Sequence, residues 1–421
     1  MQRYESYKPS DIQWVEKVPS HWSVERAKWL FNRMERPVRP EDDVVTAFRD
    51  GQVTLRTNRR TDGFTNAIQE HGYQGIRKGD LVIHAMDAFA GAIGVSDSDG
   101  KSTPVYAACV PRSEYPVNSY YYAYLLRYMA HSGYIESLSR GIRERSTDFR
   151  FAEFRELPLP IPDKNEQDRI VAFLDRKTAE IDAAIAKKER LIDLLCEQKD
   201  LLVSRAVLTG LNAEAPRKPC EINGIEAIPS HWKVVANRRL FREKAKKYKG
   251  EALPPLSLSQ KDGLVPTDEM KERSLKTSSY EHFRICRAGD LVLNRFKAHL
   301  GVFFAARQDG VVTFHYGIYT PEQEVSSKYF ELLFHTNAFR AIYAGASNGM
   351  TVGLQNLSNQ NFYDVKSIYP PLNEQIEIVN YVTDLENRYM ALTLSVEKEL
   401  ASLRELKKLA VANAVTGQIK V

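Results

Sequence analysis

Two long segments of the chain carry apolar residues at the spacing of an α-helix. Steps of four and three from Leu174 to Ala206, and from Leu385 to Ala410, reach mostly apolar residues, and charged residues flank both stripes. A narrow apolar stripe with charged flanks is typical of a coiled coil. The sequence therefore predicts two long helices that pack antiparallel, as a pseudo-two-fold relation between the halves requires, and that act as a spacer. The alternative is that each helix is solvated and packs only on its own globular part.

The stripe positions are Leu174, Thr178, Ile181, Ile185, Lys188, Ile192, Leu195, Lys199, Leu202 and Ala206, then Leu385, Tyr389, Leu392, Val396, Glu399, Leu403, Leu406 and Ala410. Proline-rich stretches precede both helical segments, LPLPIP in the first half and YPPL in the second. Proline ends the preceding element and can present a helix start. We expect Asp163 or Asn165, and Asn373, to serve as helix N-caps.

The remaining sequence predicts strands, turns and short helices. Short apolar or alternating runs bounded by Gly, Asp, Ser and Pro indicate strands at Leu81–His84, Tyr106–Val110, Leu291–Leu293 and Val311–Tyr316. Aromatic-rich stretches indicate buried helices at Tyr120–Met129 and Lys328–Phe339. The predicted fold class is α+β, with two tandem globular domains and two long helical regions.

The chain is also an internal repeat. VPSHW at Val18–Trp22 recurs as IPSHW at Ile228–Trp232, and GDLV at Gly79 recurs at Gly289, both 210 residues later. Further matches follow in the same order: Asp99-Gly100 with Asp309-Gly310, Tyr106 with Tyr316, Pro111 with Pro321, Asn165-Glu166-Gln167 with Asn373-Glu374-Gln375, and Thr209-Gly210 with Thr416-Gly417. An ordered series is hard to obtain by chance.

The segments between these matches differ strongly. A duplication could simply enlarge the core, but a shared framework with divergent loops favours one scaffold that carries two specificities. We predict a first globular domain over 1–162, a central helical spacer over 163–211, a second globular domain over 212–370 and a C-terminal helical spacer over 371–421.

Composition narrows the class of protein. The chain has 421 residues, and its 59 Lys and Arg against 54 Asp and Glu give a formal charge of +5. No apolar run approaches the roughly 20 residues that cross a bilayer, and the N-terminus lacks an apolar signal segment, so we expect a cytoplasmic protein with no membrane partner. Its four cysteines form no C-x-x-C pair, which argues against a zinc ribbon and a disulfide scaffold.

The motifs of the common enzyme classes are absent from the sequence. It contains no phosphate-binding G-x-x-x-x-G-K-[ST] loop, no G-x-G-x-x-G dinucleotide fingerprint and no H-E-x-x-H metal motif. His21 and His231 recur within the PSHW motif, where we expect them to pack near the tryptophan. The prediction is a chain without catalysis, bound metal or cofactor of its own.

The remaining chemical signal is cationic and polar. Lysine and arginine neutralise phosphates, and arginine, asparagine and glutamine can also read base edges. Such residues recur near equivalent positions of both halves, which favours DNA binding over solvated loops. The candidate DNA-binding residues are Arg56, Arg59, Arg60, Arg140, Arg143 and Arg145 in the first half, and Lys244, Lys246, Lys247, Lys249, Arg295, Lys297, Asn348 and Gln355 in the second.

Together these motifs resemble the specificity (S) subunit of type I restriction-modification systems. The resemblance rests on the PSHW motif near the start of each half, on GDLV followed by Asp-Gly and an aromatic residue, and on LPLPIPDKNEQDRIVAFLDRKTAEID closing with AVLTG. The second half repeats this last segment as YPPLNEQIEIV closing with AVTGQIKV. The resemblance covers essentially the whole chain, in order and in duplicate.

The resemblance implies two target-recognition domains, each of which reads one half of a bipartite site in double-stranded DNA. It implies that the helical regions fix the gap between the half-sites and dock two methyltransferase (M) subunits, to which the endonuclease adds two restriction (R) subunits. S-adenosylmethionine, ATP and Mg²⁺ would belong to M and R. Base contacts do not carry over, because the recognition loops vary.

Two other functions stay open at this point. The chain could be a self-sufficient DNA-processing enzyme with unrecognised active-site residues, or a structural coiled-coil adaptor that does not bind DNA. Adjacent M and R genes would argue against the first alternative. Salt-dependent binding to DNA would argue against the second, because phosphate-dominated binding weakens steeply with salt.

Overall fold

The structure of the chain is a computed structural model. It describes residues 2–59, 70–138, 148–243, 246–250, 252–260, 262–270, 280, 282–348 and 355–421. The chain divides into two compact units: the first comprises Met1–Glu189 and Glu397–Val421, and the second comprises Arg190–Val396. The domain boundaries given above stay a prediction. Within the described ranges, no helix is long and apolar enough to cross a membrane.

The first half of the sequence forms twelve strands and five α-helices among its described residues. The strands are β1 Tyr7–Ile12, β2 Val15–Pro19, β3 Ser23–Arg26, β4 Phe31–Met34, β5 Val45–Ala47, β6 Val53–Leu55, β7 Gln74–Ile76, β8 Leu81–His84, β9 Ile93–Val95, β10 Gly100–Ser102, β11 Tyr106–Pro111 and β12 Pro158–Ile161. The helices are α1 Ala27–Leu30, α2 Ser119–His131, α3 Tyr134–Leu138, α4 Phe151–Phe154 and α5 Lys164–Thr209.

The second half follows the same order. Its strands are β13 Arg217–Pro219, β14 Ala227–Pro229, β15 Lys233–Ala236, β16 Phe241–Glu243, β17 Lys246–Lys247, β18 Leu256–Ser259, β19 Gly263–Pro266, β20 Arg284–Cys286, β21 Leu291–Asn294, β22 Phe303–Ala305, β23 Gly310–Val312, β24 Tyr316–Pro321 and β25 Lys366–Tyr369. Its helices are α6 Ser327–Phe334, α7 Asn337–Ala346, α8 Asn359–Asp364 and α9 Leu372–Val415.

The sheets repeat strand for strand. A four-stranded antiparallel sheet has the order β4-β11-β8-β9 in the first unit and β16-β24-β21-β22 in the second. Small antiparallel pairs also correspond, such as β12 with β3 and β25 with β15. One difference is that β7 and β10 form a two-stranded sheet, whereas their counterparts β20 and β23 gain β17 as a third strand. The predicted α+β class with a duplicated framework and two long helices is confirmed.

Three local predictions were wrong. Val311–Tyr316 is not one strand, because β23 ends at Val312 and β24 begins at Tyr316. Lys328–Phe339 is two helices, since Thr336 lies between α6 and α7 and caps α7 by accepting a hydrogen bond from the Phe339 N–H at 3.4 Å. Asn373 lies inside the first turn of α9 and is not its N-cap. For α5 the cap is Asp163, whose Oδ1 accepts from Glu166 N at 2.9 Å.

Each unit has its own aromatic-rich core. Trp22, Tyr121 and Phe154 are fully buried in the first unit, where Val415 at the end of α9 packs into the same cluster. In the second unit the corresponding cluster contains Trp232, Tyr329, Phe362 and the end of α5. The core of each unit therefore includes the final turn of the long helix that starts in the other half of the sequence.

The two long helices run antiparallel in the first unit, as predicted. Lys407 Nζ of α9 lies 2.7 Å from Asp182 of α5, and Arg404 Nη2 lies 2.8 Å from Glu189. The residue nearer the C-terminus of α5 thus pairs with the residue nearer the N-terminus of α9. Every predicted stripe position of α5 is buried or half-buried.

The stripe predicted for α9 is wrong over part of its length. Leu392, Glu399 and Leu406 are exposed, and the covered side belongs to their neighbours Thr393, Leu400 and Lys407. The covered positions step from Leu385 to Tyr389, Thr393 and Val396, which is an eleven-residue spacing instead of a heptad. Apolar leucines on the exposed side concealed this shift.

Candidate nucleic-acid interface

The PSHW and NEQ motifs contact each other in both units. Trp22 Nε1 donates to Glu166 Oε2 at 3.0 Å, and His21 Nε2 lies 3.0 Å from the same oxygen. Tyr4 donates its hydroxyl proton to the other carboxylate oxygen. In the second unit, Trp232 Nε1 donates to Glu374 at 2.9 Å. Each repeated tryptophan is thereby tied to the first turn of a long helix.

The neighbouring glutamine ties that same turn to the N-terminus of an aromatic-rich helix, α2 in the first unit and α6 in the second. Gln167 Oε1 accepts from Asn118 N at 2.8 Å, and Gln375 Oε1 accepts from Ser326 N at the same distance. Both side chains are fully buried, and their amide groups also donate to backbone carbonyls. The recurrence of Glu-Gln in the sequence therefore reflects two buried side chains that must keep their hydrogen bonds.

The Thr-Gly motif ends each long helix against the opposite half of the sequence. Tyr121 donates its hydroxyl to the Val415 carbonyl of α9 at 2.9 Å, and Tyr329 donates to the Val207 carbonyl of α5 at 3.0 Å. Gly417 has φ +70° and abuts Trp22, whereas Gly210 has φ +77° and abuts Trp232. Positive φ favours glycine here because other residues are strained in this conformation.

The GDLV and Asp-Gly motifs brace the central sheet. Asp80 Oδ2 accepts from Arg77 N, and Asp290 Oδ2 accepts from Arg287 N, both at 2.8 Å. Asp99 and Asp309 each accept a backbone N–H at 2.9 Å, and this bond holds the pKa of both carboxyls below the ordinary value. These motifs are therefore framework and leave the recognition chemistry to the loops between them.

In the first unit, the loops beside this framework enclose an open groove of about 630 Å³. Arg59 Nη1 lies 2.7 Å from Asp50, and its guanidinium lies 4.2 Å from the Phe48 ring centroid. We define the first-unit groove by its lining: Thr46, Ala47, Phe48, Arg49, Asp50, Arg56, Arg59, His84, Asp87 and Tyr106. Two of the candidate DNA-binding arginines, Arg56 and Arg59, therefore lie in one groove.

The groove combines cations with neutral hydrogen-bonding groups. Arg49 lies 2.8 Å from Asp87 in a largely exposed pair, and such pairs are worth at most about 1 kcal/mol, so a phosphate can compete for the guanidinium. Burial lowers the pKa of His84, and its Nδ1 accepts from Asp87 N at 3.0 Å. His84 is therefore a neutral ring with its proton on Nε2. Burial raises the pKa of Tyr106 to about 12, so its hydroxyl stays protonated.

The second unit has the same framework but different side chains at the groove positions. Thr267 N donates to Pro255 O as Arg56 N donates to Val44 O, which makes Thr267 the counterpart of Arg56. Matching the strands in the same way assigns the other pairs: Arg49 with Gln260, Arg59 with Met270, His84 with Asn294, Asp87 with Lys297 and Tyr106 with Tyr316. Of these positions, only the tyrosine is unchanged.

The cations predicted in the second half fall into two places. Lys246, Lys247, Lys249 and Lys297 are exposed, the first two on β17. Arg295 is only 16% exposed, pairs with Glu243 at 3.1 Å and donates to the Leu357 carbonyl at 3.4 Å. Arg295 therefore already uses its guanidinium inside the unit.

The two predicted amides lie near each other in sequence and differ in their surroundings. Asn348 is exposed, forms a backbone bridge with Asn356 and accepts from Asn361 Nδ2 at 3.3 Å. Gln355 Oε1 is buried without a hydrogen-bond partner among the described residues. The remaining candidates, Arg60, Arg140, Arg143, Arg145 and Lys244, lie outside the described residues.

Several residues of the groove were not among the predicted site residues. His84, Asp87 and Tyr106 line it together with Arg49. Lys297 was singled out because it follows GDLV in the second half, so the 210-residue offset already pointed to Asp87 in the first half. The same offset takes Arg295 to Ala85, so it did not identify His84. No comparable signal marks Arg49, which the fold of β5 and β6 brings to the groove.

The chain resembles solved structures although no protein-family model and no curated protein matches it in sequence. The HsdS subunit from Thermoanaerobacter tengcongensis is 16% identical and superposes with a TM-score of 0.56, covering 96% of this chain and 98% of that one. The chain has the fold of an HsdS subunit. A second structure, described as the structural basis of complex assembly and conformational transition of the type I R-M system, contains a chain that is 15% identical, with a TM-score of 0.65 and coverage of 96% and 99%.

Proposed function

We propose that the chain is the DNA-recognition subunit of a type I restriction-modification system. The observation that carries the proposal is the combination of a shared fold over 96% of the chain with two matched frameworks whose groove side chains differ. A duplicated framework with unlike grooves suits the reading of two unlike half-sites. Each unit would read one half of a bipartite site in double-stranded DNA.

In this proposal, the chain binds and positions but catalyses nothing. Guanidinium groups of the first-unit groove contact phosphates or guanine edges, and the neutral His84 and Tyr106 donate hydrogen bonds to base acceptors. Two M subunits methylate adenine with S-adenosylmethionine after flipping the base, and two R subunits add cleavage with ATP and Mg²⁺. Among the described residues, no group of three His, Cys, Asp or Glu side chains could hold a metal ion.

The first experiment asks whether the chain confers sequence preference. The full chain is co-purified with candidate M subunits from its host, duplexes are selected from a random library, and the methylome of a host is sequenced with and without the chain. We expect one enriched bipartite motif with methylated adenines in both halves. Enrichment of no sequence, or a salt-dependent affinity equal for all duplexes, would contradict the proposal.

A transplant variant tests which surface reads the DNA. Arg49→Gln, Arg56→Thr, His84→Asn and Asp87→Lys replace four side chains of the first-unit groove with those at the equivalent positions of the second unit. The first half-site is then expected to change while the second half-site stays the same. Glu41→Gln, an exposed change outside the groove, serves as the matched control. If the transplant variant selects the same motif as the wild type, then other loops of the first unit read the first half-site.

A further inference from the structure

The second unit exposes a cluster of aromatic rings. Phe296 and Phe314 are 44% and 47% exposed. The ring centroids of Phe314 and His315 are 3.8 Å apart, and those of Phe296 and His315 are 5.7 Å apart. The exposed aromatic cluster is defined as Phe296, Phe314 and His315. Large apolar side chains that share one exposed patch indicate a binding surface.

This cluster lies among the counterparts of the first-unit groove. Phe296 follows Asn294, the counterpart of His84, and His315 directly precedes Tyr316, the counterpart of Tyr106. Asn294 Oδ1 accepts from Phe296 N at 3.1 Å, which fixes the turn that carries the ring. The rings therefore stand at the place where the second unit would meet its half-site.

The elements next to the rings carry exposed lysines. In the sheet of β17, β20 and β23, the backbone of Lys247 lies opposite that of Arg284, and Arg284 lies opposite Val312. Tyr248 N donates to Phe283 O at 2.9 Å and continues this register toward His282, whose ring lies 6.2 Å from that of Phe314. Lys297, beside Phe296, is also exposed. Aromatic rings set among cations suit a polyanion with stacked bases better than an apolar protein surface.

The first unit lacks these rings. At the positions equivalent to Phe296, Phe314 and His315 it has Met86, Pro104 and Val105. Met86 is 47% exposed, so an apolar side chain projects there, but none of the three equivalent positions carries an aromatic ring. The aromatic rings at these positions are therefore a feature of the second unit and not of the shared framework.

We propose that the exposed aromatic cluster stacks against the bases of one step in the second half-site and partly unstacks that step. This inference rests on the proposed function and adds a deformation of the DNA to it. Apolar side chains inserted between base pairs kink a duplex, and bases stack on aromatic rings with little dependence on sequence. The second half-site is then selected partly for how easily one step opens.

The test uses the full chain with its M subunits and the duplex selected from the random library. A fluorescent purine analogue replaces each purine of the second half-site in turn, so that every base pair is probed. We expect fluorescence at one step to rise several-fold on binding. Phe296→Ala with Phe314→Ala should abolish that rise and weaken binding on the order of 10- to 100-fold.

Matched variants separate stacking from other effects. Met86→Ala should leave the second half-site profile unchanged, and Phe314→Tyr should retain the rise because it keeps a ring. The two rings that the double variant removes are exposed in the wild type, so we expect the variant to fold. An unchanged circular dichroism spectrum would show that it does. Base flipping by M persists in every variant, so only the difference between variants reports the cluster.

The failures of the two proposals are distinguishable. If no duplex is selected, the proposed function is wrong. If a duplex is selected but the fluorescence profile of the double variant equals that of the wild type, the unstacking inference is overturned and the DNA-recognition function stands. Loss of M-subunit binding in the double variant, with intact DNA binding, would instead assign the cluster to a protein interface and overturn the inference.

Discussion

The frameworks of the two units are nearly identical, whereas the side chains of the first-unit groove and those at the equivalent positions of the second unit share almost nothing. The tryptophan-to-glutamate bonds measure 3.0 and 2.9 Å, and the tyrosine-to-carbonyl bonds measure 2.9 and 3.0 Å. At the groove positions, Arg49, Arg56 and His84 of the first unit correspond to Gln260, Thr267 and Asn294 of the second. A buried polar group that loses its partner destabilises the protein by about 1–3 kcal/mol, whereas an exposed one can bond to water. Exposed groove positions are therefore freer to diverge than the buried residues of the repeated motifs.

The frameworks themselves differ in tightness. The Glu166 side chain is 3% exposed against 27% for Glu374. A methyl group on Gly417 would lie 2.5 Å from Pro19, whereas one on Gly210 would lie no closer than 3.1 Å to Trp232. The first unit thus has less room at the point where the long helix ends.

The largest expected effect comes from shortening both long helices. Removing residues 190–196 and 392–398 takes one heptad from each helix, or about 10 Å. We expect the preferred gap between half-sites to shorten by about 3 bp, because base pairs rise about 3.4 Å, and binding to the original site to fall more than 100-fold. Selection from a random library measures this. Altered half-site letters, or an unchanged gap, would show that the helices do not set the spacing.

The second prediction concerns pH and distinguishes the cores. Burial lowers the pKa of His335 to about 4, and its counterpart in the first unit, Arg127, does not titrate in this range. Between pH 6.5 and 4 the histidine binds a proton in the unfolded chain but not in the folded one. The free energy of unfolding therefore decreases as the pH is lowered, by about 3 kcal/mol at pH 4. Hydrogen exchange of α6 and α7 should show this loss.

His335→Gln should flatten that pH dependence in the second unit. The pKa values of His84 and His131 are also lowered by burial, so the first unit should lose stability in the same direction in both proteins. An identical slope for α6 and α7 in the variant and the wild type would exclude His335 as the cause.

The third prediction compares two glycines. Gly210→Ala should destabilise the second unit by about 1 kcal/mol, because its positive φ strains alanine. Gly417→Ala should lower the free energy of unfolding of the first unit by about 2–3 kcal/mol, because overpacking against Pro19 and Trp22 adds to the same strain. Urea unfolding followed by hydrogen exchange resolves the units. Equal losses would mean that Pro19 and Trp22 move aside.

The smallest effect concerns the phosphate backbone. Lys246→Ala with Lys247→Ala should weaken binding to all sequences alike and reduce the slope of log affinity against log salt by about 2. Arg39→Ala is the first-unit control, because Arg39 pairs with Asp99 at 3.4 Å and should change the slope less. A loss confined to the selected duplex would assign the two lysines to base reading.

Much of the fold follows from the sequence, because periodicity and repetition are properties of the whole pattern. The stripe of α5 is correct since Ile181, Ile185 and Ile192 leave one apolar face. In α9, Leu392 and Leu406 are exposed, and apolar composition alone does not indicate which side of a helix is covered. The break at Thr336 depends on a hydroxyl-to-backbone hydrogen bond that hydrophobic spacing does not reveal.

The candidate site was less accessible from sequence. Arg56 and Arg59 were identified by charge, and both line the first-unit groove. Arg295 has the same charge but pairs with Glu243, a partner 52 residues away that only the fold reveals. The exposed aromatic cluster escaped notice because aromatic residues usually mark a core, and exposure depends on tertiary structure.

The core of each unit is completed by the end of the long helix that starts in the other half of the sequence, so an ancestral chain of half the length could not have completed its own core. A single copy contains the tryptophan pocket and a long helix but no second helix terminus to fill its own pocket. Two such copies could exchange tails and complete each other as a swapped homodimer with identical recognition surfaces. Joining the copies in one polypeptide removes the concentration dependence of that assembly and frees the two surfaces to evolve separately.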